Sequence, residues 1–242
     1  MFKEKDGYFQ LKEFEELGVN AIYTTVEMGN FQEDHSREEA LEKLNIKDRK
    51  VYSGHQTHSD NIKIIRKDSD LYSDDTDGFI TNEKDVVIFT KYADCLPLFF
   101  FDKKTKAFGC IHSGWEGSYK GIGLKAIELL EKEFNVKKEN LRIGIGIGIS
   151  VYKYEVQRDF YLKFKEKYSK EILKDVFLVK NGNMYFDNGR FNYNLFINAG
   201  VKSDYIYKDI NCTFTNEKFH SYRRDKNHSG RNGAYIFLDK SM

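Results

Sequence analysis

Proline is almost absent from this chain, whose 242 residues include a single one, Pro97. It lies in the stretch YADCLPLFF, residues 92–100, whose other residues are typical of a buried strand. Proline fixes its own φ and cannot donate a ladder hydrogen bond, so the middle of a central strand tolerates it poorly. We therefore predict that Pro97 lies at a strand start, an edge or a bulge, and not midway along a central strand.

Cysteine is also scarce, and long apolar runs are missing. The three cysteines, Cys95, Cys110 and Cys212, are few and odd in number, so we expect reduced thiols, with Cys110 and Cys212 as small buried hydrophobes. No apolar run approaches the roughly 20 residues that span a bilayer. The charged start, MFKEKDGYFQLKEF, lacks the apolar region of a signal peptide. We therefore expect a cytoplasmic protein without a membrane partner.

Neither sign of charge dominates the sequence. The formal net charge is +1, which argues against a general binder of nucleic acid or of membrane surfaces. The length fits one large domain or two small ones. Helical and strand patterns follow one another without a regular βαβ rhythm, which favours an α/β (α+β) fold with mixed sheets over a doubly wound one.

Three segments give specific local predictions. Ser36 with Glu39 forms a capping-box pair, which predicts a helix that runs to about Leu44. Apolar residues recur at helical spacing between residues 118 and 134. LRIGIGIGIS, residues 141–150, alternates apolar residues with glycine, which predicts a strand with a close neighbour on one face. It lacks the spacing of a dinucleotide-binding motif.

Polar side chains follow the apolar strands at three places. They are His55 and His58 in GHQTHSD, Asp94 and Cys95 in ADCLP, and His112 in CIHSGWEG. Site residues often occupy such junctions between a strand and a loop. His58, Cys95 and His112 offer nitrogen and sulfur donors suited to zinc, and three protein ligands leave a fourth position for water. Water on zinc ionises near neutral pH and can attack an electrophilic carbon.

The same residues fit a second chemistry. Cys95 would be a nucleophile, His112 or His58 its base, and Asp94 the group that orients the base. The spacing in the sequence does not separate this hypothesis from the metal site. If Cys95 faces a metal, the chain at Cys95 has to leave the hydrogen-bond ladder of the strand. Pro97 would hold it there, because proline removes a hydrogen-bond donor and restricts the preceding residue to extended conformations.

Basic residues gather near the C-terminus. FHSYRRDKNHSGRNG, residues 219–233, places Arg223 and Arg224 before a glycine-containing loop with Arg231. Adjacent arginines and backbone amides suit an anion such as phosphate. A solvated basic loop is the alternative.

Six stretches together resemble one family. They are QTH (56–58), TDGFITN (76–82), YADCLPLFFFD (92–102), CIHSGWEGS (110–118), GIGISVYKYEV (146–156) and CTF…FHSYRRDKNHSGR (212–231). In kind and order they are similar to those of the YfiH-like, or multicopper polyphenol oxidase (laccase-domain), family, whose members are regarded as purine nucleoside phosphorylases. The resemblance implies one domain over residues 1–242, with a divergent part at 1–50 and a motif-bearing core at 51–238. It also implies mixed β-sheets layered between helices.

The resemblance further implies a metal site on His58, Cys95 and His112. Zinc is favoured over copper, and the six histidines of the chain are too few for a multicopper centre. The implied activity is phosphorolysis of adenosine, inosine and methylthioadenosine, together with deamination of adenosine. The partners are then a purine nucleoside and phosphate. We give catalytic roles to the three ligands and to Asp94, as a supporting or proton-transfer group.

Four further residues are predicted to bind substrate. Gln56 lies two residues before His58, on the same face of an extended chain, and would contact the base. Arg223 and Arg224 would hold phosphate. Where the family has arginine this chain has Val26 and Glu116, and we expect Arg37, Arg223 and Arg224 to compensate for those losses.

Two alternatives stay open. A cysteine hydrolase based on Cys95 would be blocked by iodoacetamide and indifferent to chelators. A non-catalytic role, as in the name peptidoglycan editing factor that is also attached to the family, would show no turnover. Nothing in the sequence marks a surface for assembly, so it gives no oligomeric state.

Overall fold

The structure, a computed structural model, describes residues 1–240 and 242, which form sixteen strands and seven α-helices. The strands are β1 (Phe2–Glu4), β2 (Tyr8–Leu11), β3 (Val19–Thr24), β4 (Lys50–Gly54), β5 (Ile62–Ile64), β6 (Tyr72–Ser73), β7 (Gly78–Thr81), β8 (Val86–Tyr92), β9 (Leu96–Asp102), β10 (Phe108–Ser113), β11 (Leu141–Ile145), β12 (Glu155–Val156), β13 (Phe177–Lys180), β14 (Asn183–Phe186), β15 (Ile206–Lys208) and β16 (Asn232–Leu238). The helices are α1 (Lys12–Glu15), α2 (Asp34–Lys43), α3 (Trp115–Lys120), α4 (Ile122–Phe134), α5 (Arg158–Lys167), α6 (Asn188–Asn198) and α7 (Tyr222–Asp225). In the described part of the chain, no helix has the length and apolar character needed to cross a membrane.

Two large mixed sheets dominate the fold. The seven-stranded sheet has the order β1-β2-β3-β16-β8-β4-β6, with antiparallel pairs from β1 to β8 and parallel pairs at β8–β4 and β4–β6. The six-stranded sheet has the order β15-β11-β9-β10-β7-β5, with antiparallel inner pairs and a parallel pair at each edge. A small antiparallel sheet, β12-β14-β13, packs beside α5 and α6.

Aromatic side chains fill the space between the two large sheets. The seven-stranded sheet contributes Phe9, Tyr23 and Tyr92, and the six-stranded sheet contributes Phe99, Phe101 and Phe108. Burial of a ring of this size stabilises the folded state by about 1.5–3 kcal/mol. The packed layer therefore fixes the two sheets, and the loops at their ends, relative to each other.

Helices cover the outer faces of both sheets. On the six-stranded sheet, α4 buries Ile122 and Leu130, and α6 buries Phe196. On the seven-stranded sheet, Ala40 of α2 packs in the cluster that contains Phe89. The predicted α/β architecture, with mixed sheets layered between helices, is confirmed.

The local predictions succeed in part. The helix at 118–134 is confirmed as α4 with the short α3 before it. The helix predicted to run to about Leu44 is also confirmed, as α2, but the capping box at Ser36 is wrong. Helix α2 begins two residues before Ser36. The Ser36 side chain is buried against Gly29, so closely that a Cβ on Gly29 would lie 2.4 Å from Ser36 Oγ. Packing of this hydroxyl inside the fold therefore overrides its capping tendency. In LRIGIGIGIS, the strand β11 ends at Ile145, before the last glycines.

Pro97 is the second residue of β9, a central strand of the six-stranded sheet. Its carbonyl accepts a hydrogen bond from the Gly146 amide at 2.9 Å. The register with β11 begins only at Leu98, opposite Ile145, so the missing N–H of proline falls where that ladder starts. The predicted position at a strand start is confirmed.

Candidate metal centre and its cavity

A cavity of about 560 Å³ lies where β4, β8 and β10 end and where β7 and β9 begin. His58, Cys95 and His112 line it, together with the aromatic side chains of Trp115 and Tyr154. Cavities of this volume with a few convergent polar groups are typical of small-molecule sites.

The structure brings the three predicted ligands together. His58 lies in the loop after β4 with a φ of 60°, Cys95 directly precedes β9, and His112 lies near the end of β10. Their donor atoms all lie within 4.8 Å of one another, and the His58 Nε2 to Cys95 Sγ distance is 3.9 Å. Ligand atoms around tetrahedral zinc are about 3.5 Å apart. Within the described residues, this is the one cluster of three or more His, Cys, Asp or Glu side chains that is placed to hold a metal ion.

Asp77, which precedes β7, fixes the orientation of two ligands. Its fully buried carboxylate accepts a hydrogen bond from His112 Nδ1 at 2.7 Å and from the backbone N–H groups of His58 and Ser59 at 3.1 and 2.8 Å. His112 therefore presents Nε2 to the site. Burial raises the pKa of Asp77, but the hydrogen bond and charge of His112, with bonds from Ser59, hold it well below its usual range. A carboxylate behind a ligating histidine is common at metal sites.

The thiol of Cys95 is ionised by its surroundings. Burial disfavours the thiolate, but the charge of His112 and hydrogen bonds from both histidines lower the pKa of Cys95 to about 6. Burial also disfavours protonation of His112, yet the Cys95 charge and the Asp77 hydrogen bond raise the pKa of His112 to about 9. In contrast, burial raises the pKa of Cys110 to about 11. Only the thiolate binds metals, so Cys95 is the one of the two prepared for that role.

Gly114, at the start of α3, leaves room for the site. A Cβ at this position would lie 2.9 Å from His58 Cδ2 and 3.0 Å from Cys95 Sγ, closer than real contacts allow. Its φ of −71° suits any residue, so the reason for glycine is space and not backbone freedom. The donor set and this clearance together fit a bound metal ion.

Asp94 adopts a φ of 85° immediately before Cys95. Its carboxylate accepts hydrogen bonds from Thr213 Oγ1 at 2.6 Å, Ser221 Oγ at 2.7 Å and the Arg223 amide at 2.6 Å. The predicted supporting residue thus ties the C-terminal segment to the loop that carries Cys95. Asp94 also lines the cavity.

Gln56 also lines the cavity, but its amide serves the backbone of Lys91. Gln56 Oε1 accepts from the Lys91 amide at 2.8 Å, and Nε2 donates to the Lys91 carbonyl at 2.9 Å. Beyond the end of β4, the Gln56 side chain therefore makes the two hydrogen bonds to β8 that a backbone residue would make. His55, its neighbour, lines the same cavity.

The predicted arginines lie in different places. Arg223 lines the cavity, with its guanidinium 5.2 Å from the ring centre of Tyr154. Arg224 points elsewhere: it donates to the carbonyls of Thr213 at 2.9 Å and Phe219 at 2.8 Å, and pairs with the adjacent Asp225. Arg37 lines a smaller neighbouring pocket.

Several residues of the site escape the sequence reasoning. The main residues missed are Asp77 and Lys91. The available sequence signal for Asp77 was its position directly before the buried strand GFIT. Among the described lining residues of the cavity, neither Val26 nor Glu116 appears, so the two positions that lack the expected arginine stand outside its wall. Arg231 does line it.

The fold and the site define the class of protein. The family model for the multi-copper polyphenol oxidoreductase laccases matches residues 18–239, and the chain belongs to this family. The resemblance seen in the sequence is thereby confirmed.

Among curated proteins, the chain is 35% identical over 169 residues to a purine nucleoside phosphorylase of Borreliella burgdorferi, in an alignment that covers 70% of this chain and 72% of the relative. It is 32% identical over 178 residues to a purine nucleoside phosphorylase of Aquifex aeolicus, covering 73% of this chain and 78% of the relative.

Two solved structures share the fold. The hypothetical protein YfiH of Bacillus licheniformis superimposes with a TM-score of 0.89 at 22% identity, over 98% of this chain and 99% of that one. YlmD of Geobacillus stearothermophilus superimposes with a TM-score of 0.87 at 21% identity, over 99% of both chains. At these identities the likeness concerns the fold alone.

Proposed function

We propose that this protein is a zinc-dependent purine nucleoside enzyme. It would cleave adenosine, inosine or methylthioadenosine with phosphate, and would deaminate adenosine. The relatives named purine nucleoside phosphorylase support a purine nucleoside as substrate. The observation that carries the proposal is the cluster of His58, Cys95 and His112 at a cavity of about 560 Å³, with Asp77 behind it.

The donor set favours zinc over copper. Two imidazole nitrogens and one thiolate are common zinc ligands, and three protein ligands leave a position open for water. The cluster has donors for one ion, which does not suit a multicopper oxidase. When bound there, zinc supplies Lewis acidity, which lowers the pKa of water and polarises a substrate atom.

The chain's own residues would bind and orient the substrate. Trp115 and Tyr154 line the cavity, and aromatic rings of this kind would stack against a purine. The guanidinium of Arg223 lies over the Tyr154 ring at the cavity, where it would bind ribose or an anionic group. Asp94 holds the Arg223 backbone in place, and Arg224 holds the loop around it. Asp77 accepts the Nδ1 proton of His112, so Nε2 faces the site and would bind the metal after it loses its own proton.

The test is incubation of purified protein with adenosine, with and without phosphate, followed by chromatography. We expect inosine in both samples and adenine only with phosphate. Cys95→Ala should abolish both products, and Cys110→Ala, which alters a buried thiol behind the site, is the matched control. Absence of both products from the zinc-loaded protein would refute the proposed function.

The cysteine hydrolase remains the second candidate, because Cys95 is a thiolate beside two imidazoles. A chelator distinguishes the two chemistries. Removal of metal should stop a zinc enzyme, whereas a cysteine nucleophile should lose activity only on treatment with iodoacetamide.

A further inference from the structure

A smaller pocket of about 110 Å³ adjoins the main cavity. The two spaces share Gln56 and Lys91 among their lining residues, so Lys91 lies at their junction. Arg231 lines the main cavity, and Arg37 lines the smaller pocket. Three cationic side chains therefore meet where the two spaces join.

The sheet explains why they meet. Lys91 stands two positions after Phe89 in β8, so both side chains point to the face that α2 covers. Arg231 stands two positions before Gly233, which lies opposite Lys91, so Arg231 shares that face. Arg37 belongs to α2, and its guanidinium lies 5.4 Å from the ring centre of Phe89.

Two carboxylates, Glu33 and Asp34, line the smaller pocket but form no ion pair with the three cations. Within the described residues, none of them forms a salt bridge. Burial lowers the pKa of Lys91, the charges of Arg231 and Arg37 lower it further, and Asp34 opposes them. Such a cluster repels itself, and a bound anion relieves that repulsion.

Arg231 is held in place for contact. Its Nη1 donates to the carbonyls of Ser229 and Gly230 at 3.0 and 2.9 Å, and its amide donates to Asn30 Oδ1 at 2.9 Å. The backbone of Lys91 is likewise fixed by both atoms of the Gln56 amide. Two of the three cations therefore start from a fixed backbone, which reduces the entropy lost when an anion binds.

We propose that Lys91, Arg231 and Arg37 form the subsite for phosphate, the second substrate of the phosphorolysis. This inference rests on the proposed function and assigns a place to one of its two substrates. It supplies cations from β8, from the residue before β16 and from α2, in a chain that has Val26 and Glu116 where arginine was expected.

The reaction that the subsite would serve is a displacement at ribose. A phosphate oxygen forms a bond to C1′ while the bond between C1′ and the purine nitrogen breaks. The electron pair of the broken bond stays with the purine, which takes up the proton that phosphate loses. The products are ribose 1-phosphate and the free base. Fixed cations hold the dianion in position for this step.

Steady-state phosphorolysis of adenosine at varied inorganic phosphate tests the subsite. Lys91→Met keeps the apolar stem and removes the charge, and Arg231→Gln is the second variant. We expect each to raise the KM for phosphate at least tenfold, about 1.4 kcal/mol of binding free energy. The KM for adenosine should change much less. Lys165→Met, on an exposed position of α5, is the matched control and should change neither constant.

An unchanged KM for phosphate in both variants would overturn the proposal. If the unaltered protein deaminates adenosine or cleaves it with phosphate, the proposed function stands whatever the variants do. If it does neither, the proposed function has failed. Whenever it does not cleave adenosine with phosphate, calorimetric titration with inorganic phosphate decides the subsite. A higher dissociation constant for phosphate in Lys91→Met than in the unaltered protein would support the subsite, and equal dissociation constants would refute it.

The same cations would also suit the 5′-phosphate of a nucleotide. Adenosine 5′-monophosphate distinguishes the two sources. If it is a better substrate than adenosine, and Lys91→Met removes that preference without changing the KM for phosphate, the subsite serves the nucleotide and our proposal is wrong.

Discussion

Cys95 and Cys110 have the same side chain in two different environments. Cys95 directly precedes β9 and Cys110 lies in β10 of the six-stranded sheet. Burial raises the pKa of Cys110 to about 11, and the hydrogen bonds of Thr90 and Tyr92, which lower the pKa, do not offset it. At Cys95, the charge of His112 outweighs burial and lowers the pKa to about 6. Neighbouring charge, and not depth, thus decides which of the two cysteines has the lowered pKa that a metal ligand needs.

Alkylation measures this difference directly. Because only the thiolate reacts, iodoacetamide should modify Cys95 in the metal-free protein at a rate that rises with pH, with its midpoint near pH 6, and then levels off. Cys110 should stay unmodified throughout the neutral range. Peptide mass spectrometry after brief exposure at each pH gives both rates. A rise in Cys95 modification only above pH 8 would contradict the account.

Gly114→Ala tests the space around the ligands. The added methyl group would press on His58 and Cys95, so we expect metal affinity to fall at least tenfold. Competitive titration with a zinc indicator measures it. Gly182→Ala is the control: its φ of 82° strains alanine, but no atom lies within 4 Å of the new Cβ. That variant should lower the free energy of unfolding by about 1 kcal/mol and leave metal affinity unchanged.

Asp77→Asn tests the orientation of His112. The amide keeps the size of the side chain but loses the charge that stabilises the imidazole and fixes its tautomer. We expect metal affinity to fall by about ten- to a hundredfold. In the metal-free variant the midpoint of Cys95 alkylation should move to higher pH, because His112 loses the partner that keeps it charged. A merely structural role for Asp77 would leave that midpoint in place.

At the scale of elements, the start of β9 is where the sequence is most unusual. The Pro97 ring packs where Gly146 leaves β11: a Cβ at Gly146 would lie 2.5 Å from Pro97 Cγ. Proline and glycine are therefore matched across two strands. Together they shape the entry to β9 that places Cys95 outside the ladder and at the cavity.

A double-mutant cycle tests this match. We expect Gly146→Ala alone to lower the free energy of unfolding by more than about 2 kcal/mol, because overpacking displaces the neighbouring strand. In the Pro97→Ala background the same change should cost less, by about 1 kcal/mol of coupling, since the ring has been removed. Denaturant unfolding of the four proteins gives the cycle. Strict additivity would show that the two residues do not constrain each other.

At the scale of the whole molecule, the sequence predicted the candidate metal ligands better than the residues that hold them in place. His58, Cys95 and His112 could be found because donor chemistry and strand ends are visible along the chain. Asp77 directly precedes a buried strand, but its contact with His112 depends on which strand ends meet in space, and so does the pairing of Gln56 with Lys91. The mixed α/β class was predictable from the sequence patterns and the layering from the family resemblance, whereas the order of the strands was not.

The arginines show the same limit. Arg223 and Arg224 are adjacent in sequence, yet one faces the cavity and the other binds the carbonyls that shape its own loop. Arg231 and Lys91 are far apart in sequence and share a face of one sheet. Local sequence identifies a basic segment, but the register between β8 and β16 decides which cations meet.

The central claim is that one zinc ion on His58, Cys95 and His112 makes this chain active on a purine nucleoside. Titration of zinc into metal-free protein, while inosine formation from adenosine is followed, tests it most directly. We predict that the rate rises with added zinc and stops rising at one equivalent per chain, and that Cys95→Ala shows no rise. A rate independent of zinc, or no inosine at any zinc concentration, would contradict the account.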